Sequence, residues 1–176
     1  MVFVDESGFL LQPLVRRTWA PVGQTPVLAE SARRDRTSAL AALALSPGRR
    51  RVRLFFRLLD HNARAEDFVW FLHDLRLELG RRLHVVWDNL GAHRKTERFF
   101  QALGSRWFRF HRLPPYAPEL NPTEHVWSTS KWGPLAGVPH PDLAHLRAGV
   151  AGELARQAAQ PRLLRAHFRW AGLELP

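Results

Sequence analysis

The chain has 176 residues, 45% of them apolar and none of them cysteine, enough to bury a core without cross-links. Disulfides, thiolate metal sites and cysteine nucleophiles are therefore excluded. No apolar run approaches the roughly 18 residues of a membrane span, and Val2-Phe3-Val4 running straight into Asp5 and Glu6 does not read as a secretory leader. Lys and Arg number 26 against 16 acids, a net charge of +10, and a domain this basic expects a polyanionic partner. All the cations but Lys95 and Lys131 are arginines, whose fork suits phosphate, although G+C-rich coding would also favour Arg over Lys.

In chain order, Val2-Phe3-Val4 reads as a short strand ending at Asp5. Residues 7–35 read as irregular, with a small hairpin between Thr18-Trp19 and Val27-Leu28. Thr37–Leu45 and Val52–Leu59 form an antiparallel pair around the Ser46-Pro47-Gly48 turn. Phe68, Phe71, Leu72, Leu75 and Leu79 then fall at helical spacing, with Asn62 as the expected N-cap and Gly80 just past the end. A strand over Leu83–Trp87 ends at Asp88. A helix over His93–Leu103 closes at Gly104, and a strand over Trp107–Leu113 follows. Pro114, Pro115 and Pro118 keep the next segment extended until Asn121-Pro122 opens a helix. Two more helices are expected, around Leu143–Leu154 and over Leu163–Trp170. No Gly/Ser linker divides the chain, so residues 1–176 read as one α/β domain.

Asp5 and Asp88 sit where strands end, and Glu124 lies in the first turn of a later helix. In open α/β sheets, chemistry gathers beyond the carboxyl ends of strands. Three carboxylates converging there repel one another unless a cation joins them, and oxygen donors suit Mg²⁺ or Mn²⁺. Neutralising Asp88 is expected to relieve that repulsion. An acidic centre within a basic surface suits a nucleic acid. Each acid also has an ordinary account: Asp5 as a strand terminus, Asp88-Asn89 as an Asx turn, and Glu124 as the reciprocal partner in a capping box.

The stretches carrying these acids resemble the DDE transposases of the mariner superfamily, in its bacterial insertion-sequence branch. Val2-Phe3-Val4-Asp5-Glu6-Ser7-Gly8 is similar to the first catalytic strand. Arg17-Thr18-Trp19-Ala20-Pro21-Val22-Gly23 resembles the branch's Trp-Ala-Pro-x-Gly segment. Trp87-Asp88-Asn89-Leu90-Gly91-Ala92-His93 is similar to Asp-Asn-x-x-x-His. Leu113-Pro114-Pro115-Tyr116-Ala117-Pro118-Glu119-Leu120-Asn121-Pro122-Thr123-Glu124, followed by Val126-Trp127 and Lys131, resembles the third motif.

The resemblance implies an RNase H-like fold: a mixed five-stranded central sheet, its first three strands antiparallel and the later ones parallel, flanked by helices. It implies Asp5, Asp88 and Glu124 as catalytic residues holding two Mg²⁺ or Mn²⁺ ions. It also implies cleavage of DNA at transposon ends and joining of the 3′-OH to target DNA. The alternative reading is a non-catalytic DNA-binding or regulatory fragment. Asn89, His93, Lys131 and the Arg49-Arg50-Arg51 run are candidates for DNA contact or site support, as are Arg16-Arg17 and Arg33-Arg34. Trp19, Trp87, Trp127 and Trp132 are candidates for base stacking or packing, and Glu6 and Glu119 are not expected to be ligands. The family's helix-turn-helix reader of terminal repeats is absent from this sequence, and a separately encoded or missing segment would supply it. The expected partners are DNA and a second copy of the chain, with no membrane, and the expected location is the cytoplasm of a bacterium, at the nucleoid.

Overall fold

The computed structural model describes residues 1–12, 14, 19–25, 27 and 35–176. Its sheet has the order β3-β2-β1-β4-β5, with β1 over Val2–Leu10, β2 over Arg36–Leu45, β3 over Val52–Leu59, β4 over Leu83–Trp87 and β5 over Phe108–Arg112. The first three strands are antiparallel neighbours; β4 runs parallel to β1, and β5 parallel to β4. The helices are α1 over Ala65–Leu79, α2 over Gly91–Ala102, α3 over Pro122–Trp132, α4 over Leu143–Ala158 and α5 over Pro161–Trp170.

Side-chain alternation along the strands divides the core. On one face Phe3, Ala41 and Leu43 pack with Val126, Val150, Leu154, Leu164 and Phe168 from α3, α4 and α5. On the other, Val2, Val4, Leu40 and Ala42 pack with Phe68, Phe71 and Leu72 of α1 and Phe100 of α2. The alanines of β2, weak strand formers by themselves, suit a strand covered on both faces, and Ala39, Ala41 and Ala42 are fully buried. Each large side chain buried this way contributes about 1.5–3 kcal/mol.

Two of the boundaries that differ from expectation have a visible cause. β1 does not stop at Asp5 but runs on to Leu10, because its second half is carried by pairing with β2, from Asp5 opposite Ala41 to Leu10 opposite Arg36. Asn62 does not cap α1: the N-cap is Arg64, whose amide donates to Asp67 Oδ2 at 2.8 Å. Gly80 closes the helix with φ 61°, a left-handed conformation that glycine adopts without strain. Thr18 and Leu28 of the expected hairpin lie outside the described residues, as do Arg16, Arg17, Arg33 and Arg34. Among the described residues, no helix is long and apolar enough to cross a membrane.

Candidate active site

β1 pairs with β4 only at Val2–Val85 and Phe3–Val86. That register, carried two residues further, sets Asp5 level with Asp88, where the two strands part. Asp5 is thus a mid-strand residue of β1 at the point where its β4 neighbour ends. Glu124 arrives from the start of α3, and side chains bind that start to β1. Thr123 Oγ1 donates to the Phe3 carbonyl at 2.9 Å, and Asn121 Nδ2 to that of Val4 at 3.4 Å. Asn121 also caps the helix, accepting from the Thr123 amide at 3.2 Å. Its own amide donates to the Pro118 carbonyl at 2.9 Å, so the capping-box partner is already replaced and Glu124 is left to face the cleft.

Asp5, Asp88 and Glu124 line one open cleft of about 430 Å³, walled by Asn89, Leu90 and the Leu113–Pro118 segment. Glu119, in a short 3-10 turn over Pro118–Leu120, is exposed. The cleft is crowded with anions. Burial, and then Glu124 and Glu6, push the Asp5 carboxyl well above the usual range. Burial also raises Glu124, with Glu6 and Asp88 adding to it and Lys131 opposing them. Lys131 is the cation of this group; burial lowers its pKa while Glu124 and Asp5 raise it. Its Nζ donates to Ser7 Oγ at 2.7 Å.

Asp88 is held differently. Its Oδ1 accepts from the Leu90 amide at 2.9 Å and from His93 Nδ1 at 2.6 Å. The His93 contact holds its carboxyl below the ordinary value, against the effect of burial. His93 Nε2 lies 3.2 Å from Glu6 Oε2, and both of those atoms are buried without a hydrogen bond. Burial opposes a charge on this imidazole, yet the two carboxylates outweigh it and lift the pKa to about 9. The ring stacks on Trp87 with centroids 4.5 Å apart and meets Phe68 edge-on at 4.6 Å. His93 is therefore a buried clamp on Asp88 and does not face a phosphate.

The remaining candidates divide by position. Asn89 Nδ2 donates to the Leu113 carbonyl at 3.1 Å, tying the end of β4 to the exit of β5. Trp87 and Trp127 are buried, whereas Trp19 and Trp132 are exposed. Trp127 Nε1 donates to Asp5 Oδ2 at 2.9 Å, a role that the sequence reading missed. Its i, i+3 spacing from Glu124, which puts both on one helix face, carried the signal. Glu6 was missed as a partner of His93; strand alternation sends it to the α2 face while Asp5 faces α3. Arg49, Arg50 and Arg51 do not join the site. They occupy the β2–β3 turn, and the antiparallel register places that turn at the Val2 end of β1.

The donor set fits hard divalent cations: three carboxylates, two with raised pKa, on one cleft. They are not already drawn together, for among the described residues no three of His, Cys, Asp and Glu are grouped to hold an ion.

A mixed sheet in this order, with acids on β1, after β4 and at the start of α3, has the RNase H-like arrangement. The chain belongs to the DDE superfamily endonuclease family, whose model matches residues 1–147. No curated protein matches it. Among solved structures it is similar to a pre-cleavage Mos1 transpososome, with TM-score 0.67 and 16% identity, over 97% of this chain and 51% of that one. The Mos1 mariner paired end complex with Mn gives 0.66 and 18%, over 97% and 51%. The catalytic domain of Mos1 mariner transposase gives 0.55 and 15%, over 99% and 83%. At these identities the likeness is one of fold. The chain spans about half the length of the first two.

Proposed function

We propose that this chain is the catalytic domain of a transposase, of the bacterial insertion-sequence branch, which cleaves DNA at transposon ends and joins the freed 3′-OH to target DNA. The observation that carries this reading is the meeting of Asp5, Asp88 and Glu124 in one cleft of a chain with net charge +10. The relatives crystallised with Mn and with Mg support a divalent cofactor, and the transposon-end complexes support DNA and a second copy as partners.

Asp5, Asp88 and Glu124 would hold two divalent cations, which when bound supply charge neutralisation at the scissile phosphate and a more acidic attacking oxygen. The chain's own residues do the positioning. Trp127 fixes one oxygen of Asp5, His93 fixes Oδ1 of Asp88, and Lys131 offsets the local negative charge. Water displaces the 3′ oxygen from phosphorus in the first step. The released 3′-OH displaces an oxygen of a target phosphate in the second, with no protein–DNA bond.

The test is nicking of supercoiled plasmid with Mg²⁺ or Mn²⁺. Nicking that disappears in both Asp5→Ala and Asp88→Ala supports the reading. DNA binding without any metal-dependent nicking overturns it in favour of a regulatory fragment.

A further inference from the structure

A second cleft, of about 630 Å³, opens at the opposite end of the sheet from the carboxylates, against Val2 of β1 and Leu83 of β4. Five residues of β4 separate Leu83 from Asp88, about 16 Å at strand rise. Its charged lining comprises Arg49, Arg51 and Arg53 from the β2–β3 hairpin, Arg81 and Arg82 from the α1–β4 turn, and a single acid, Glu78. Arg53 is paired with that acid at 2.7 Å. Among the described residues, none of the other four arginines has a carboxylate within ion-pair distance. The guanidinium charge left uncompensated is thus +4, on two turns that the fold brings side by side, with the Met1 amino group beside them.

The hairpin tip is braced. Arg49 holds a left-handed φ of 53°, uncommon for a residue with a Cβ. Its amide donates to the Ser46 carbonyl at 2.9 Å, and the Arg51 amide donates to Ser46 Oγ at 3.1 Å. From α5, Arg165 Nη1 reaches the carbonyls of Arg49 and Arg50 at 3.4 and 3.3 Å. Within the cleft, burial and then His111, the Met1 amino group, Arg109 and Arg82 hold the His84 imidazole below its ordinary pKa, and Arg109 lies on β5.

We propose that this arginine cleft is a second docking site for a DNA phosphate backbone, holding a stretch of duplex other than the one at the carboxylates. Guanidinium forks pair with phosphate oxygens in two parallel hydrogen bonds, and four uncompensated forks on a braced frame meet a polyanion with little ordering cost. Such contacts position the duplex without reading its sequence. The proposal rests on the reading of this chain as one that acts on DNA.

The experiment measures binding of a short duplex of arbitrary sequence to the full chain, without metal, from about 50 to 200 mM salt. The variant is R51A/R81A/R82A. The charge-matched control is R98A/R106A/R162A, from exposed positions elsewhere on the surface. Thermal melts check that both fold. The variant is expected to bind at least about tenfold more weakly, with a log–log salt slope shallower by about 2.7, from about 0.9 for each lost phosphate contact. The control should keep the wild-type slope to within one contact. A variant with the wild-type slope, or a control that loses as much, overturns the second site. Plasmid nicking by the wild type separates the two readings: if it nicks while the triple variant binds normally, only this site falls; if the wild type binds no duplex even at low salt, both fall.

Discussion

His93 holds Asp88 through a 2.6 Å contact between Nδ1 and Oδ1, and its other ring nitrogen faces Glu6. One buried imidazole thus joins a residue of β1 to the residue that follows β4. One of its flat faces is covered too, by Trp87 at 4.5 Å. The clamp fixes where one oxygen of Asp88 points and leaves the other to the cleft. Asp88 is in this way the pre-charged member of the trio, and Asp5 the one whose charge burial opposes.

Groups that orient a metal ligand from behind are worth about 10–100-fold in metal affinity. His93→Gln removes the cation and the stacked ring but can still reach a carboxylate. It should weaken Mn²⁺ binding by about that factor in calorimetry and slow plasmid nicking in parallel. Glu6→Gln, which keeps a hydrogen-bonding group opposite Nε2, should fall between it and the wild type. A His93→Gln protein that melts earlier yet binds Mn²⁺ normally would reduce the clamp to packing.

Relief of repulsion should come from Asp5, not from Asp88 as the sequence suggests. The Asp88 carboxyl is lowered by its histidine, whereas Asp5 is raised by burial, Glu124 and Glu6. Asp5→Asn should therefore melt higher than the wild type in chelator at neutral pH, by about 2–4 °C for each kcal/mol relieved. Mn²⁺ should then stabilise the wild type and leave this variant unchanged, since a ligand bound only by the native state stabilises by mass action. Equal midpoints in chelator, or equal responses to Mn²⁺, would contradict this.

Local pattern made most of the frame legible. Hydrophobic spacing located α1, and short apolar and aromatic runs located β3 and β4. Asn121-Pro122 marked the start of α3. Relations across the sheet were the part out of reach. Glu6-Ser7-Gly8 has poor strand character and becomes strand because Leu40, Ala39 and Ser38 lie opposite. The Glu6–His93 contact joins positions 87 residues apart, and nothing local in either marks it. The arginine run at 49–51 was visible as charge, but only strand register puts it away from the carboxylates and beside Arg81 and Arg82.

His167 offers a pH test outside the cleft. It is fully buried on α5, and burial, with His125 nearby, lowers its pKa to about 4. Its Nε2 lies 3.1 Å from Gln157 Oε1, while Gln157 Nε2 donates to Ser130 Oγ and Glu153 Oε1. Nδ1 is buried without a partner, as suits a neutral ring. The unfolded chain takes up this proton near the ordinary pKa of 6.5 and the folded one only near 4, so stability falls as pH drops through that window and is unaffected above it. The full difference is about 3 kcal/mol. Denaturant melts at about pH 7.5 and about pH 5 should differ by roughly 2 kcal/mol more in the wild type than in His167→Gln. Equal pH dependence in the two proteins would show that this ring does not titrate as described.

Glu124 and Glu119 lie five residues apart in the same motif and should behave oppositely. Glu119 is exposed on the 3-10 turn. Glu124 is half-buried in the cleft with Asp5 and Asp88, and the capping role that would have employed it is closed, because the Asn121 amide already donates to Pro118. An amide at position 124 keeps the shape and some hydrogen bonding but loses the charge that holds a hard cation. It also removes an anion crowded by Glu6 and Asp88. Glu124→Gln should therefore fold at least as stably as the wild type in chelator, yet lose Mn²⁺-dependent nicking. Glu119→Gln should match the wild type in both measurements. Equal nicking by the two variants would remove Glu124 from the ligand set. A Glu124→Gln protein that is less stable than the wild type would return that residue to a structural part.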